Sequence, residues 1–295
     1  MTKDKRQMTT PPLPFPSRKT DAHKGDVGRV LLIGGSRGMA GSISLSAMAA
    51  LHTGSGLVSA AVPDRCLETV ASFHPCLMTI PLADDSSGQF SDDAVSKVSE
   101  RADNYDAIGC GPGMGTHDAA LEMVEFLLGK SQIARVLDAD ALNALSKMNW
   151  PDRDSSTSGP LVLTPHPGEL KRLTGVSPSN REQQIEAAQK LAAHHGVVVV
   201  VKGGPTVVVD GDRKWTNTTG NPGMATGGTG DVLTGVVTSL LGQGMTPWAA
   251  ARLGVWLHGA AGDRAAAKHG QAGMTARECL AEIPGITATY ENRRL

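Results

Sequence analysis

The sequence predicts an α/β protein built on a mostly parallel sheet with helices on both faces. Three observations predict it. Short apolar runs alternate with helical segments, as in strand–helix units. The runs lead into glycine-bearing loops, and such sheets bind ligands beyond the carboxyl ends of their strands. The 295 residues are 40% hydrophobic, enough for a substantial core, and no repeat or low-complexity linker divides them.

The elements follow in order. "RVLLIGGS" reads as a buried strand entering a loop, and "GSISLSAMAALHTGSG" as a helix with a glycine stop. "LVSAAVP" is a second strand. "YDAIGCGPGMG" is a strand running into a glycine loop, and "DAALEMVEFLLGK" is the helix after it. "ARVLDADALNALSK" gives a strand and a short helix. "NWPDRDSSTSGP" reads as a surface loop. "GPLVLTPHPGELKRLTG" gives a strand, a proline-bearing turn and a helix, and "REQQIEAAQKLAAHHG" an amphipathic helix stopped by Gly196. "VVVVVKGGPTVVVDGDRKWTN" is a buried strand followed by a hairpin at a sheet edge. Two small-residue helices, 229–243 and 247–269, come after it. The prolines and charges of residues 1–20 suggest an irregular arm suited to packing on a neighbouring subunit, which leaves 21–295 as a single domain.

Composition excludes several function classes. The 28 basic and 29 acidic residues leave a net charge of −1, without the basic excess that nucleic acid or a membrane surface requires. Aromatics are 3%, too few for base-stacking platforms. The four cysteines include no C-x-x-C pair, which fits a reducing cytoplasm. No apolar run approaches the ~20 residues that span a bilayer, and the N-terminus lacks the apolar stretch of a signal peptide.

The most informative stretch is "NTTGNPGMATGGTGDVLTGVVTSLLGQG", residues 217–244. A helix beginning near Thr229 places the amides of Gly228, Thr229 and Gly230 at its positive end, a site suited to phosphate. Asp231 then stands beside that anion, placed to accept a proton from a hydroxyl attacking phosphorus. The plainer reading is an ordinary helix-start aspartate. The loop holds more glycines than a cap requires, and it lacks the Walker pattern of a P-loop.

"GTGD" opening a helix resembles the anion hole of ribokinase-like small-molecule kinases. "KGDVGRVLLIGGSRGMAGS", "GCGPGMG", "LDADALNAL", "LTPHPGELKRLTG", "VVKGGPTVVVDG" and "TGNPGMATGGTGD" together resemble one branch, the ADP-dependent NAD(P)H-hydrate dehydratases, in that family's order over roughly residues 23–270. The resemblance implies a ribokinase-like three-layer sandwich. It implies cofactor repair: dehydration of the S epimer of hydrated NADH or NADPH, with ADP as co-substrate and magnesium as counter-ion. It also implies a homo-oligomer, a tetramer, in its stand-alone form, served by a separately encoded NAD(P)H-hydrate epimerase.

By the same resemblance Asp231 is the base, and Gly228, Thr229 and Gly230 stabilise the transferring phosphoryl group. Ala40, Gly113, His166 and Asp231 contact the hydrated dinucleotide. Lys202, Gly203, Gly204, Pro205 and Thr206, with Gly230, border the adenine nucleotide, and Asn217 and residues 220–223 wrap it. Each has a structural reading beside the functional one. "KGGPT" is also a tight turn between strands, and His166 is also a satisfied loop histidine. No metal ligand is assigned. Asp138, Asp140 and Glu169 are the carboxylates that reach toward a metal, while Glu169 and "DADAL" serve equally as helix caps. His194 and His195 end a helix, where they suit its dipole, and His258 reads as structural. The rival function is an ATP-dependent kinase of a vitamin precursor of the hydroxyethylthiazole or hydroxymethylpyrimidine type.

Overall fold

The computed structural model describes residues 10–153 and 159–291. Among these residues nine strands form one sheet: β1 (Arg29–Ile33), β2 (Leu57–Pro63), β3 (Met78–Leu82), β4 (Ala107–Cys110), β5 (Ala134–Leu137), β6 (Leu161–Leu163), β7 (Val198–Val201), β8 (Val207–Val209) and β9 (Lys214–Thr216). Their order is β3-β2-β1-β4-β5-β6-β7-β8-β9. The strands from β3 to β7 are parallel, and β8 and β9 add antiparallel at one edge. This is the expected mostly parallel sheet ending in an edge hairpin.

Ten helices among the described residues cover it: α1 (Ala40–Thr53), α2 (Leu67–Ala71), α3 (Asp93–Ser99), α4 (Asp118–Gly129), α5 (Asp140–Lys147), α6 (Pro167–Thr174), α7 (Arg181–His195), α8 (Thr229–Gly242), α9 (Pro247–His269) and α10 (Ala276–Glu291). Alternation along each strand decides the two faces. Val30, Leu32, Val136, Val162 and Val200 join one core with α1, α8, α9 and α10. Leu31, Ile33, Leu137, Leu163 and Val201 join the other with α3 to α7. The result is the expected three-layer arrangement. No helix among the described residues is long and apolar enough to cross a membrane.

Strand order reverses between β1 and β4, the third and fourth strands of the sheet, and the two loops beyond those strands meet there: the Gly35 amide donates to the Pro112 carbonyl at 2.8 Å. Such a switch point forms a crevice at the carboxyl end of a parallel sheet. Beside it, α1 and α8 run together, with the Ser46 hydroxyl donating to the Asp231 carbonyl at 2.8 Å.

Several elements depart from the sequence expectations. Residues 64–104 contain α2, β3 and α3, and residues 276–291 form α10; neither segment has the patterning of its neighbours. β3 carries Pro81 and is an edge strand, where a missing N–H is tolerated. The expected surface loop at 149–160 buries Trp150, which stacks on the His195 ring at 3.8 Å; residues 154–158 of that loop lie outside the described residues. His195 is fully buried, so packing on Trp150 places it, in addition to any favour from the helix dipole. Of the N-terminal arm, residues 1–9 lie outside the described residues, and Phe15 is buried in its own chain, edge-on to Trp256 at 6.4 Å.

Candidate active site

The site is assembled from the ends of parallel strands and the start of α8. Asp138 follows β5, Thr164 follows β6 and Lys202 follows β7. α8 begins at Thr229 with Gly228 as its N-cap, at φ 90°. That left-handed conformation favours glycine, and a Cβ there would also press on Leu45 and Ala276. The Thr229 hydroxyl lies 2.9 Å from the carbonyls of both Met224 and Thr226, which fixes the loop ahead of the helix. Amides in a first helical turn have no acceptor within the helix, so this turn presents donors to whatever lies before it.

Asp231 occupies that first turn and is largely shielded from solvent. Burial, and then the charge of Asp138, push its carboxyl up to about 6, against the opposing effects of the Ser42 hydrogen bond and the Lys202 ammonium. A carboxyl raised to that value is mostly ionised at neutral pH and more basic than an ordinary carboxylate. Lys202 Nζ donates to Asp138 Oδ1 at 2.7 Å and lies 3.9 Å from Glu169 Oε2. The Thr234 hydroxyl donates to the other oxygen of Asp138 at 2.6 Å. Desolvation pulls the lysine down, but Asp138 and Glu169 outweigh it and hold the ammonium above its usual value. A Cβ on Gly230 would stand 3.4 Å from that ammonium, so the lysine lies directly beneath the amide turn.

Lys202, Gly203, Gly204, Pro205 and Thr206 line a cavity of about 670 Å3 together with Thr229 and Gly230. Asn217 and residues 220–222 line it too, whereas Gly223 is not among the lining residues. The Asn217 side chain is engaged with Thr219. The "KGGPT" loop is held from outside by Arg181, whose guanidinium donates to the carbonyls of Lys202 at 2.8 Å, Val201 at 3.0 Å and Pro205 at 2.8 Å. The sequence reading missed this clamp, because an arginine opening an amphipathic helix looks like any solvated charge. His258 also lines the cavity. Burial, and then the Lys202 charge, push its imidazole down to about 4, so the ring is neutral, and its buried Nε2 has no hydrogen-bond partner among the described residues.

The residues expected at the dinucleotide lie elsewhere around the same centre. Ala40 opens α1 and lines a second cavity, of about 590 Å3. Gly113, at φ 65°, lies where a Cβ would meet Met39 Cβ at 2.8 Å, so close packing of the β1 and β4 loops explains this glycine. His166 is the N-cap of α6. Its Nδ1 accepts from the Gly168 amide at 2.9 Å, and Glu169 reaches back to accept from the His166 amide at 2.8 Å, completing a capping box. The ring is half exposed, with Nε2 3.2 Å from Glu169 Oε1. Burial, followed by Lys202, lowers its basicity. Burial pushes Glu169 up to about 7.

The three carboxylates that reach toward a metal do not make a metal cage. Asp138 is spent on Lys202 and Thr234. Asp140 accepts from the Gly115 amide at 2.9 Å and from Asn143 at 3.2 Å, and Glu169 serves as the cap. Among the described residues no group of three or more His, Cys, Asp or Glu side chains could hold a metal.

Comparison with known proteins bears on this geometry. Residues 30–285 match the NAD(P)H-hydrate dehydratase family. A bifunctional NAD(P)H-hydrate repair enzyme of Moorella thermoacetica is 44% identical over 281 residues, 94% of this chain and 52% of that protein. The chain therefore spans about half the length of the curated relatives it matches. Among solved structures, an ADP/ATP-dependent NAD(P)H-hydrate dehydratase from Bacillus subtilis, co-crystallised with ATP and Mg2+, is 30% identical with a TM-score of 0.81, covering 94% of this chain and 95% of the other. A ribokinase-like superfamily protein from Enterococcus faecalis also scores 0.81 at 26% identity, over 94% and 92% of the two chains. These matches do not favour the vitamin-precursor kinase. On the family match over residues 30–285 and the 44% identity to the Moorella thermoacetica enzyme, the chain belongs to the NAD(P)H-hydrate dehydratase family.

Proposed function

We propose that this chain repairs nicotinamide cofactors by dehydrating the S epimer of hydrated NADH or NADPH at the expense of ADP. The observation that carries the reading is the Asp231 carboxyl, raised to about 6, in the first turn of α8 beside the Lys202 cavity. Hydroxide is a poor leaving group, and phosphate is a good one. The ring hydroxyl attacks the β-phosphorus of ADP, its proton passes to Asp231, and the bond to AMP breaks. The ring-nitrogen lone pair then expels phosphate. Loss of a proton from the neighbouring carbon restores the dihydronicotinamide, so the sum is hydrate plus ADP giving reduced dinucleotide, AMP and phosphate.

In this scheme the amides of Gly228, Thr229 and Gly230 and the Lys202 ammonium stabilise the transferring group. Residues 202–206 border the adenine nucleotide, and Ala40, Gly113 and His166 border the hydrate. Magnesium, as the nucleotide's counter-ion, would be carried largely on its phosphates and water, and no step here runs through it. A homotetramer and a cytoplasmic setting complete the proposal; light scattering checks the first. The decisive experiment adds hydrated NADH and ADP and follows recovery of the reduced-nicotinamide absorbance. Recovery with ADP supports the reading, and none with either ADP or ATP rejects it.

A further inference from the structure

The cavity of about 590 Å3 at the start of α1 is lined by Arg37, Gly38, Ala40, Gly41 and Arg65. α1 packs against the start of α8, where the Ser46 hydroxyl donates to the Asp231 carbonyl at 2.8 Å, and the cavity adjoins the first turn of α1. That turn holds no acidic residue, and its N-cap, Met39, supplies no side-chain cap. The two arginines stand differently. Arg65 is fixed: its Nε donates to Asp84 at 2.6 Å, and its two terminal nitrogens donate to the Ser86 carbonyl at 3.1 Å and the Asp85 carbonyl at 2.7 Å. Those bonds use three of the five N–H groups of a guanidinium. Arg37 is anchored by its backbone amide, which donates to the Gly88 carbonyl at 3.0 Å. Its side chain has no hydrogen bond or ion pair among the described residues. Asp84 balances Arg65, and among the described residues no carboxylate is paired with Arg37.

We propose that this cavity is a phosphate subsite for the dinucleotide substrate, with Arg37 as the ligating cation and Arg65 as the fixed wall beside it. The inference rests on the proposed function. With the reacting ring at Asp231, the pyrophosphate of a dinucleotide lies one ribose away, and the NADPH hydrate carries a further phosphate on its adenosine ribose. A free guanidinium at an uncapped, acid-free helix start suits either phosphate. The nucleotide cavity beyond Gly230 is left for ADP, so each co-substrate has its own phosphate anchor.

The test compares the unmodified chain with Arg37→Ala and Arg37→Lys. Arg37 is exposed, so both variants should keep the fold, checked by thermal unfolding. Arg37→Ala should raise KM for hydrate about tenfold, the scale of one charge-assisted contact, with kcat and KM for ADP within about twofold; Arg37→Lys should fall between. Titration with NADPH in the absence of ADP should show the same weakening by fluorescence. Equal loss for both hydrates assigns the pyrophosphate, and loss confined to the NADPH hydrate assigns the ribose phosphate. If the unmodified chain restores the cofactor and Arg37→Ala matches it on both hydrates, this inference fails alone. If the unmodified chain restores neither hydrate, the proposed function fails with it.

Discussion

Lys202 Nζ and Asp138 Oδ1 stand 2.7 Å apart, each residue the first after its own parallel strand, with β6 between them. The pair is almost dry: the Asp138 side chain is 1% exposed. Breaking such a pair from one side strands a buried charge. Lys202→Met should therefore lower stability by about 3–5 kcal/mol, read from urea unfolding. It should also act on the base. Lys202 lowers the Asp231 carboxyl while Asp138 raises it, so loss of the lysine should move the acid limb of the rate profile upward. A variant whose limb stays put would separate the lysine from the base.

The unmodified enzyme should show that acid limb near pH 6 in kcat/KM, since Asp231 titrates at about 6 and must be ionised to take the proton. Asp231→Asn should retain ADP binding and lose nearly all turnover. Its stability has a definite sign. The folded carboxyl titrates at about 6 and the unfolded one near 3.8, so between those values the folded state holds the extra proton and stability falls as pH rises. The asparagine escapes that loss. Asp231→Asn should match the parent below about pH 4 and exceed it by roughly 1–3 kcal/mol above pH 6, measured as melting curves across that range. Identical curves at all pH values would mean the carboxyl is not strained by burial.

Much of this arrangement was legible in the sequence, for physical reasons. The valine runs of β7 and β8 and the glycine stops at Gly54 and Gly196 carry local signals, and α8 starts at the residue its glycine–aspartate signature indicates. The resemblance supplied the functional vocabulary; the residues alone gave an anion site with an acid beside it. Contacts between distant segments were illegible. Nothing local says that Thr234, one turn into α8, donates to Asp138 across 96 positions. Pro81 and Pro284 hid β3 and α10, because proline argues against the elements that contain it unless their place in the fold is known. His166 reads in the sequence either as a substrate contact or as a satisfied loop histidine; the structure makes it the N-cap of α6, a role neither reading named, and leaves half the ring exposed.

Gly230→Ala isolates the approach of the phosphoryl group from folding. Its Cβ would stand 3.4 Å from Lys202 Nζ and 3.8 Å from Asp138 Oδ2, contacts the folded chain accommodates, and alanine suits a helix better than glycine. The melting temperature should stay level or rise slightly. Turnover should fall by about 10²–10³, the usual effect of losing one donor to a transferring group, because the methyl stands where the group must approach the amides. A well-folded, fully active Gly230→Ala chain would move the reaction away from this turn.

Arg181→Ala tests whether the clamp outside the nucleotide cavity matters for one co-substrate alone. Among the described residues the Arg181 side chain donates to the carbonyls of residues 201, 202 and 205, which belong to or adjoin the loop that borders the proposed ADP site. Each such bond from a charged donor contributes about 1.5–3 kcal/mol at most, part of which water replaces once the side chain is gone. KM for ADP should rise about tenfold, one 1.4 kcal/mol step, while KM for the hydrate stays within about twofold. The asymmetry is the informative readout. A merely destabilised enzyme would lose active molecules and lower apparent kcat for both substrates equally, whereas a loosened "KGGPT" loop weakens only the ligand it borders. Steady-state titration of each co-substrate at saturating levels of the other distinguishes the two, and equal shifts in both KM values would show that the loop serves the whole site.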